Sequence, residues 1–141
     1  MRVKIKVVLI LLLFVSKSIC AQSSNCIRSL NNRIDSCLFQ NLIFNDDGIC
    51  EKEIIATFYD IGKAVIFAEE DIDRVLGFIP TTSIAFCYCN VEYYIPENKN
   101  ISNTINQNLL WQGLVTIKIR FYKDIMEDGQ PFALIISIDN Y

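Results

Sequence analysis

The sequence predicts an α+β domain in which N-terminal helices pack on a three- to four-stranded antiparallel β-meander, stabilised by disulfide bonds. Three observations support this fold class. Apolar residues in the first half of the chain recur at spacings of three and four, those in the second half alternate with polar residues, and six cysteines occur in only 141 residues. A composition of 52% hydrophobic and 11% aromatic residues excludes a disordered chain, and the length suits one domain.

Residues 1–21 have the pattern of a secretory signal peptide. Three basic residues within the first six positions precede an unbroken apolar run over 7–15, and mostly small residues follow up to Ala21. The run is much shorter than the roughly 20 apolar residues that a membrane-spanning helix needs. We therefore expect a mature protein of residues 22–141, one small domain that is secreted, or periplasmic if the source is bacterial.

The charge of the mature chain restricts the classes of partner. Removal of the signal peptide takes away four basic residues and no acidic one, which leaves nine basic against 16 acidic side chains. This excess disfavours nucleic acids and anionic membrane surfaces as partners. The sequence contains no histidine, which excludes catalytic sites where histidine activates a serine or cysteine nucleophile and metal sites that combine cysteine with histidine. We therefore expect no cofactor, no metal site and no enzymatic activity.

Five cysteines remain if Cys20 leaves with the signal peptide: Cys26, Cys37, Cys50, Cys87 and Cys89. Cysteines at this density in an oxidising compartment usually pair. Cys26 and Cys37 lie too far apart on the predicted first helix to bond each other, and Cys87 and Cys89 point to one face of a predicted strand. We predict that two of the three N-terminal cysteines bond to Cys87 and Cys89. The fifth is either a buried thiol or the link of a disulfide-bonded dimer.

Two helices are predicted in the first half of the mature chain. The first covers 24–42, with Ser24 as its N-cap, and a turn follows at 45–48. The second covers about 51–76, as one helix or as two with a bend near Glu69. Its apolar stripe consists of Ile54, Phe58, Ile61, Val65, Ala68, Ile72 and Val75. The acidic cluster at 69–73 is expected to be a solvated helix face.

Strands are predicted in the second half of the chain, where the apolar period changes to two. They cover 83–94, 114–123 and 132–138, with a polar loop over 96–108 and a turn at Asp128-Gly129. The strand over 114–123 has the clearest alternation. Val115, Ile117, Ile119 and Phe121 are predicted to face the core, and Thr116, Lys118, Arg120 and Tyr122 to face away from it.

Two surface features are candidates for function. Asn100 begins the tripeptide Asn-Ile-Ser, an N-glycosylation sequon in a predicted loop, and it is a glycosylation candidate if the source is eukaryotic. Tyr93, Tyr94, Trp111 and Tyr122 form a candidate binding surface, because tyrosine and tryptophan bring large contact areas at low entropic cost.

These observations favour a secreted, disulfide-stabilised binding module that acts on a protein or glycan partner. An effector, an inhibitor and an extracellular interaction protein all fit this description. The alternative is a carrier that holds a small apolar ligand between helix and sheet. A small hydrolase that works without histidine is less favoured, because no spacing of lysine or carboxylate side chains suggests a catalytic set.

Overall fold

The computed structural model describes residues 37–99, 101–105 and 113–141, and within them the protein is mostly antiparallel β-sheet with two short α-helices. The predicted α+β fold, with N-terminal helices packed on a meander, is therefore wrong. In chain order the elements are a 3₁₀ turn at Cys37–Phe39, β1 at Ile49–Lys63, α1 at Glu69–Leu76, β2 at Thr82–Tyr88, β3 at Val91–Pro96, α2 at Ile101–Thr104, β4 at Leu114–Glu127 and β5 at Gln130–Asn140.

The five strands form one curled sheet in the order β3-β2-β1-β4-β5, with every neighbouring pair antiparallel. The first part of β1 pairs with β4 and its last part pairs with β2. The two edges meet where Glu97, just after β3, forms a parallel bridge with Ile135 of β5, and the Asn98 amide donates to the Ile135 carbonyl at 2.8 Å. The result is a partly closed five-stranded barrel.

The predicted helix over 51–76 is wrong for its first half, which is the central strand β1. Ile54 and Phe58 are four residues apart, a spacing that fits a strand of period two as well as a helix of period 3.6. In β1 the side chains of Ile54, Ala56 and Phe58 are buried while Ile55 and Tyr59 are exposed, which is strand alternation. Only Glu69–Leu76 is helical, within the last part of the predicted range.

The predicted strand over 83–94 is a hairpin. Cys89 and Asn90 both have positive φ angles, 50° and 61°, as the two central residues of a type I′ turn require. Cys89 therefore lies in the turn and not on a strand beside Cys87. The predicted loop over 96–108 contains α2. Residues 37–42 of the predicted first helix form the 3₁₀ turn and a non-helical segment, and residues 24–36 lie outside the described residues.

The inner face of the barrel holds the main core. The predicted inward residues of β4 are confirmed, because Val115, Ile117, Ile119 and Phe121 are all fully buried there. The 3₁₀ turn covers this core through Leu38, which is also fully buried. Its position is fixed by the Lys52 ammonium group, which donates to the carbonyl oxygens of Leu38 at 3.1 Å and Gln40 at 2.7 Å. Lys52 thus links β1 to the backbone of the segment that covers the core.

A second, smaller core lies on the other face of β4 and β5. There Ile72 of α1 packs with Tyr122, Ile125, Phe132 and Leu134. Tyr122 is therefore a core residue, although the alternation in β4 placed it on the polar face, because α1 covers this end of the strand. The predicted turn at Asp128-Gly129 is confirmed, with positive φ at both residues.

The prediction of a disulfide between an N-terminal cysteine and the Cys87–Cys89 region is confirmed by the Cys37–Cys89 bond, which crosslinks positions 52 residues apart. Cys87 is also disulfide-bonded, and Cys26 lies outside the described residues. Cys50 is a free, buried thiol. An intermolecular disulfide through Cys50 would require the barrel to open at this point.

Candidate functional site

The segment 64–81, here called the excursion, leaves the barrel after β1 and returns to it at β2. Its two ends are held together, because Lys63 pairs with Thr82 and the Ala64 amide donates to the Thr81 carbonyl at 3.0 Å. Between these ends the chain contains α1 and lies against the β4–β5 hairpin. The excursion is therefore an ordered attachment on the outside of the barrel.

Three contacts anchor the excursion. Ile72 is fully buried in the second core, and the Glu127 carboxylate of β4 accepts hydrogen bonds from the amides of Phe67 at 2.6 Å and Ala68 at 3.0 Å. Gly77 ends α1 in the left-handed conformation at φ 73°, and its amide donates to the Asp73 carbonyl at 2.8 Å. The two bonds to Glu127 hold the backbone at Phe67, directly beneath its side chain.

The outer surface of the excursion carries large apolar side chains in solvent. Phe67 is 75% exposed and Val65 is 71% exposed, and Val75 and Ile79 are also exposed. Single exposed apolar residues are ordinary, but several on one short, anchored segment are typical of an interaction surface. The contacts beneath Phe67 hold its backbone in place, so a partner that buries this ring has less conformational entropy to overcome.

The same end of the molecule is acidic. Three segments make up this acidic end: the turn 45–48, the excursion, and the β4–β5 turn region 123–129. The amide of Lys123 donates to the Gly48 carbonyl at 2.9 Å, and Ile49 and Ile72 belong to the same small core, so the three segments are neighbours. Their carboxylates are Asp46, Asp47, Glu69, Glu70, Asp71, Asp73, Asp124, Glu127 and Asp128, and their cations are Arg74 and Lys123. One further cation, Lys99 from outside the three segments, places its ammonium group 4.9 Å from the centre of the Phe78 ring.

A set of charged residues lies on the outer face of β1 and β4. Glu51 Oε1 accepts from Arg120 Nε at 2.9 Å and Nη2 at 2.7 Å, and Lys118 Nζ lies 3.2 Å from Glu51 Oε2. The pKa of Glu51 is lowered mainly by its hydrogen bond with Arg120 and secondly by that with Lys118. The pKa of Arg120 is raised mainly by its hydrogen bond with Glu51 and secondly by one with Tyr122. Glu53 lies opposite Lys118 on the paired strands, so this set contains two carboxylates and two cations and has no net charge. A shallow depression of about 470 Å³ beside them is lined by Asn45, Ile49, Glu51 and Arg120.

The lowered pKa of Glu51 predicts a pH effect on stability. A carboxylate with a depressed folded-state pKa stabilises the protein above its unfolded pKa, and this contribution is lost as pH falls through the folded value. Replacing Glu51→Gln should therefore lower the melting temperature slightly at pH 7. Between about pH 5 and pH 3 the melting temperature of the variant should then fall less than that of the wild type. The effect should be small and weakened by salt, because both side chains are partly exposed, 37% for Arg120 and 34% for Glu51. Thermal melts of the wild type, Glu51→Gln and the control Glu53→Gln test this, and identical profiles for the two variants would contradict it.

Glu97 is a buried carboxylate at the point where the barrel closes. Its Oε1 accepts hydrogen bonds from Thr82 and from Ser102, the latter at 2.6 Å, while its buried Oε2 has no hydrogen-bond partner among the described residues. No group of three or more metal-binding side chains occurs in the part of the chain that the structure describes. The two hydrogen bonds to Glu97 connect β2 and α2 at the point where the barrel closes.

The structure places the three described residues of the predicted aromatic surface, Tyr93, Tyr94 and Tyr122, in different environments. Tyr93 is buried in the main core, where its ring stacks on Phe86 at 5.5 Å, and Tyr122 is buried beneath α1. Tyr94 is exposed, and its hydroxyl donates to Glu92. Trp111 and the sequon residue Asn100 lie outside the described residues.

Sequence reasoning missed the apolar surface of the excursion. It assigned Val65 and Val75 to a buried helical stripe, whereas both are exposed. Phe67 and Ile79 did not fit that stripe at all. The available signal for this surface was the presence of apolar residues on either side of the acidic cluster that do not belong to the predicted buried stripe.

Comparison with known protein families, with curated proteins and with solved structures found no match to this chain. Within residues 37–99, 101–105 and 113–141, no helix has the length and apolar character needed to cross a membrane.

Proposed function

We propose that the protein is a secreted binding module that docks a protein partner on the acidic end, with the excursion as the main contact surface. The observation that carries this proposal is the anchored backbone beneath an exposed aromatic ring at Phe67. Aromatic side chains held in this way are frequent energetic centres of protein interfaces. Burial of one such side chain contributes about 1.5–3 kcal/mol.

The packing favours an external site over an internal one. A carrier would need apolar space between helix and sheet, but Ile72 of α1 is fully buried directly against Tyr122 and Phe132. On the inner face Phe86 and Phe121 are also fully buried and occupy the region between the strands. Fully buried side chains thus occupy the centre of both described cores, which supports a binding site on the outside.

The proposed secretion is supported by two independent features. The N-terminal sequence has the pattern of a signal peptide, and the Cys37–Cys89 bond is a crosslink that persists in oxidising compartments. A glycan at Asn100 would be compatible with this location. Enzymatic activity forms no part of the proposal.

Site-specific photocrosslinking tests the proposed surface. A photoreactive phenylalanine analogue placed at Phe67 of the full chain should form a discrete covalent adduct with a protein from the extracellular fluid of the source. The same analogue at Ile55, which is half exposed on the outer face of β1, is the matched control. Phe67→Ser should fold normally, because the side chain is mostly in solvent, and should compete poorly for the adduct. Absence of an adduct at position 67, or equal adducts at both positions, would contradict the proposal.

A further inference from the structure

We infer that the partner of the acidic end is a basic protein surface with an apolar recess that receives Phe67. This inference rests on the proposed function and adds the chemistry of the partner. Nine carboxylates and two cations lie in the three segments that form this end. One of the cations, Arg74, is already paired with Asp71 at 2.7 Å, which leaves the carboxylates in large excess.

Exposed carboxylates lie next to the apolar contact residues along the excursion. Glu69 and Glu70 begin α1 immediately after Phe67, and Asp73 lies one turn from Glu69 on the same helix face. Val75, near the end of α1, and Ile79, beyond the helix, are also exposed apolar side chains. An apolar centre bordered by a charged rim is the usual arrangement of a protein interface, and here the rim is negative.

Charge complementarity selects among the possible occupants of this surface. A second copy of the chain would place the same carboxylates against one another, and like charges across an interface cost several kcal/mol. A membrane with anionic lipids would be repelled for the same reason. Lysine or arginine side chains on a partner would instead be attracted, and arginine can bind a carboxylate through two parallel hydrogen bonds.

The inference can be tested with a defined probe and the full mature chain. The probe is an amphipathic helical peptide of about 18 residues made of leucine and lysine, and its counterpart carries glutamate at every lysine position. The leucine–lysine peptide should bind, and its affinity should fall as salt is raised. The leucine–glutamate peptide should not bind.

Variants locate the binding on the protein. Phe67→Ser and the double change Glu69→Gln with Asp73→Gln should each weaken peptide binding by about tenfold, as loss of central interface contacts does. The double change Glu53→Gln with Asp139→Gln removes the same charge from exposed positions outside the three acidic segments and should change the affinity by less than about twofold. Equal weakening by both double changes would show attraction to overall charge and overturn the inference.

Two further measurements distinguish the other occupants. Self-association in sedimentation velocity that is lost on Phe67→Ser would overturn the inference in favour of a second copy. Binding to phosphatidylserine–phosphatidylcholine vesicles with no binding to the leucine–lysine peptide would overturn it in favour of a membrane. If the peptide fails while the position-67 photocrosslink still forms, the docking surface stands and only the basic character of the partner is wrong.

Discussion

Replacing Ile117→Asp is expected to prevent the protein from folding. Ile117 is fully buried in the middle of β4, paired with Ile54 on one side and Ile138 on the other. The change removes an apolar side chain worth about 1.5–3 kcal/mol and buries a carboxylate without a partner, which costs several kcal/mol more. Because small domains are stable by only about 5–15 kcal/mol, this loss is a large fraction of the total. Far-UV circular dichroism and a thermal melt of the purified variant measure the outcome.

The control for this variant is Ile55→Asp. Ile55 lies on the neighbouring strand β1, but its side chain is on the outer face and is 50% exposed. The same substitution there should leave the protein folded with a small loss of stability. A folded Ile117→Asp variant with a normal melting temperature, or an Ile55→Asp variant that also fails to fold, would show that the two faces of the sheet are assigned incorrectly.

The parts of the fold that sequence reasoning found are those that local alternation determines. In β4 apolar residues occupy every second position from Val115 to Phe121, which only a strand places on one face. The turn that follows contains Asp128-Gly129, a favoured type I′ pair. Both features are visible within a window of a few residues, so no knowledge of distant contacts is needed.

The central strand β1 could not be assigned in the same way. Ile54 and Phe58 fit both helical and strand periods. Ile55 and Ile61 are apolar although they are exposed, so the apolar positions do not show the strict alternation that would distinguish a strand from a helix. What makes this segment a strand is pairing on both sides, with β2 and with β4. These pairings join residues far apart in the sequence, and a pattern read along one segment cannot report them.

The candidate site could not be predicted from the sequence for a related reason. The acidic cluster on α1 was recognised as a solvated helix face, but the position of Phe67 depends on Glu127, a residue 60 positions away. This contact exists only because the β4–β5 hairpin lies beside the excursion. The sequence therefore identified the charges of the site but not the anchored apolar surface between them.

Loss of the Cys37–Cys89 disulfide is expected to destabilise the protein by about 4 kcal/mol, because the bond closes a loop of 52 residues and restricts the unfolded chain. It also attaches the 3₁₀ turn, and with it the buried Leu38, to the β2–β3 turn. Cys37→Ser and Cys89→Ser should each lower the melting temperature strongly. Denaturant unfolding under non-reducing conditions gives the free-energy difference directly.

A double-mutant cycle separates the crosslink from side-chain packing. If the two sulfurs are bonded, the variant carrying both Cys37→Ser and Cys89→Ser should be no less stable than either single variant, because the first change already removes the bond. Cys50→Ala is the control, since it removes a buried free thiol without breaking a crosslink, and it should cost only about 1 kcal/mol. Additive losses in the cycle would mean that the cysteines stabilise the barrel independently. Single variants as stable as the wild type would mean that the 3₁₀ turn covers the core without its covalent link.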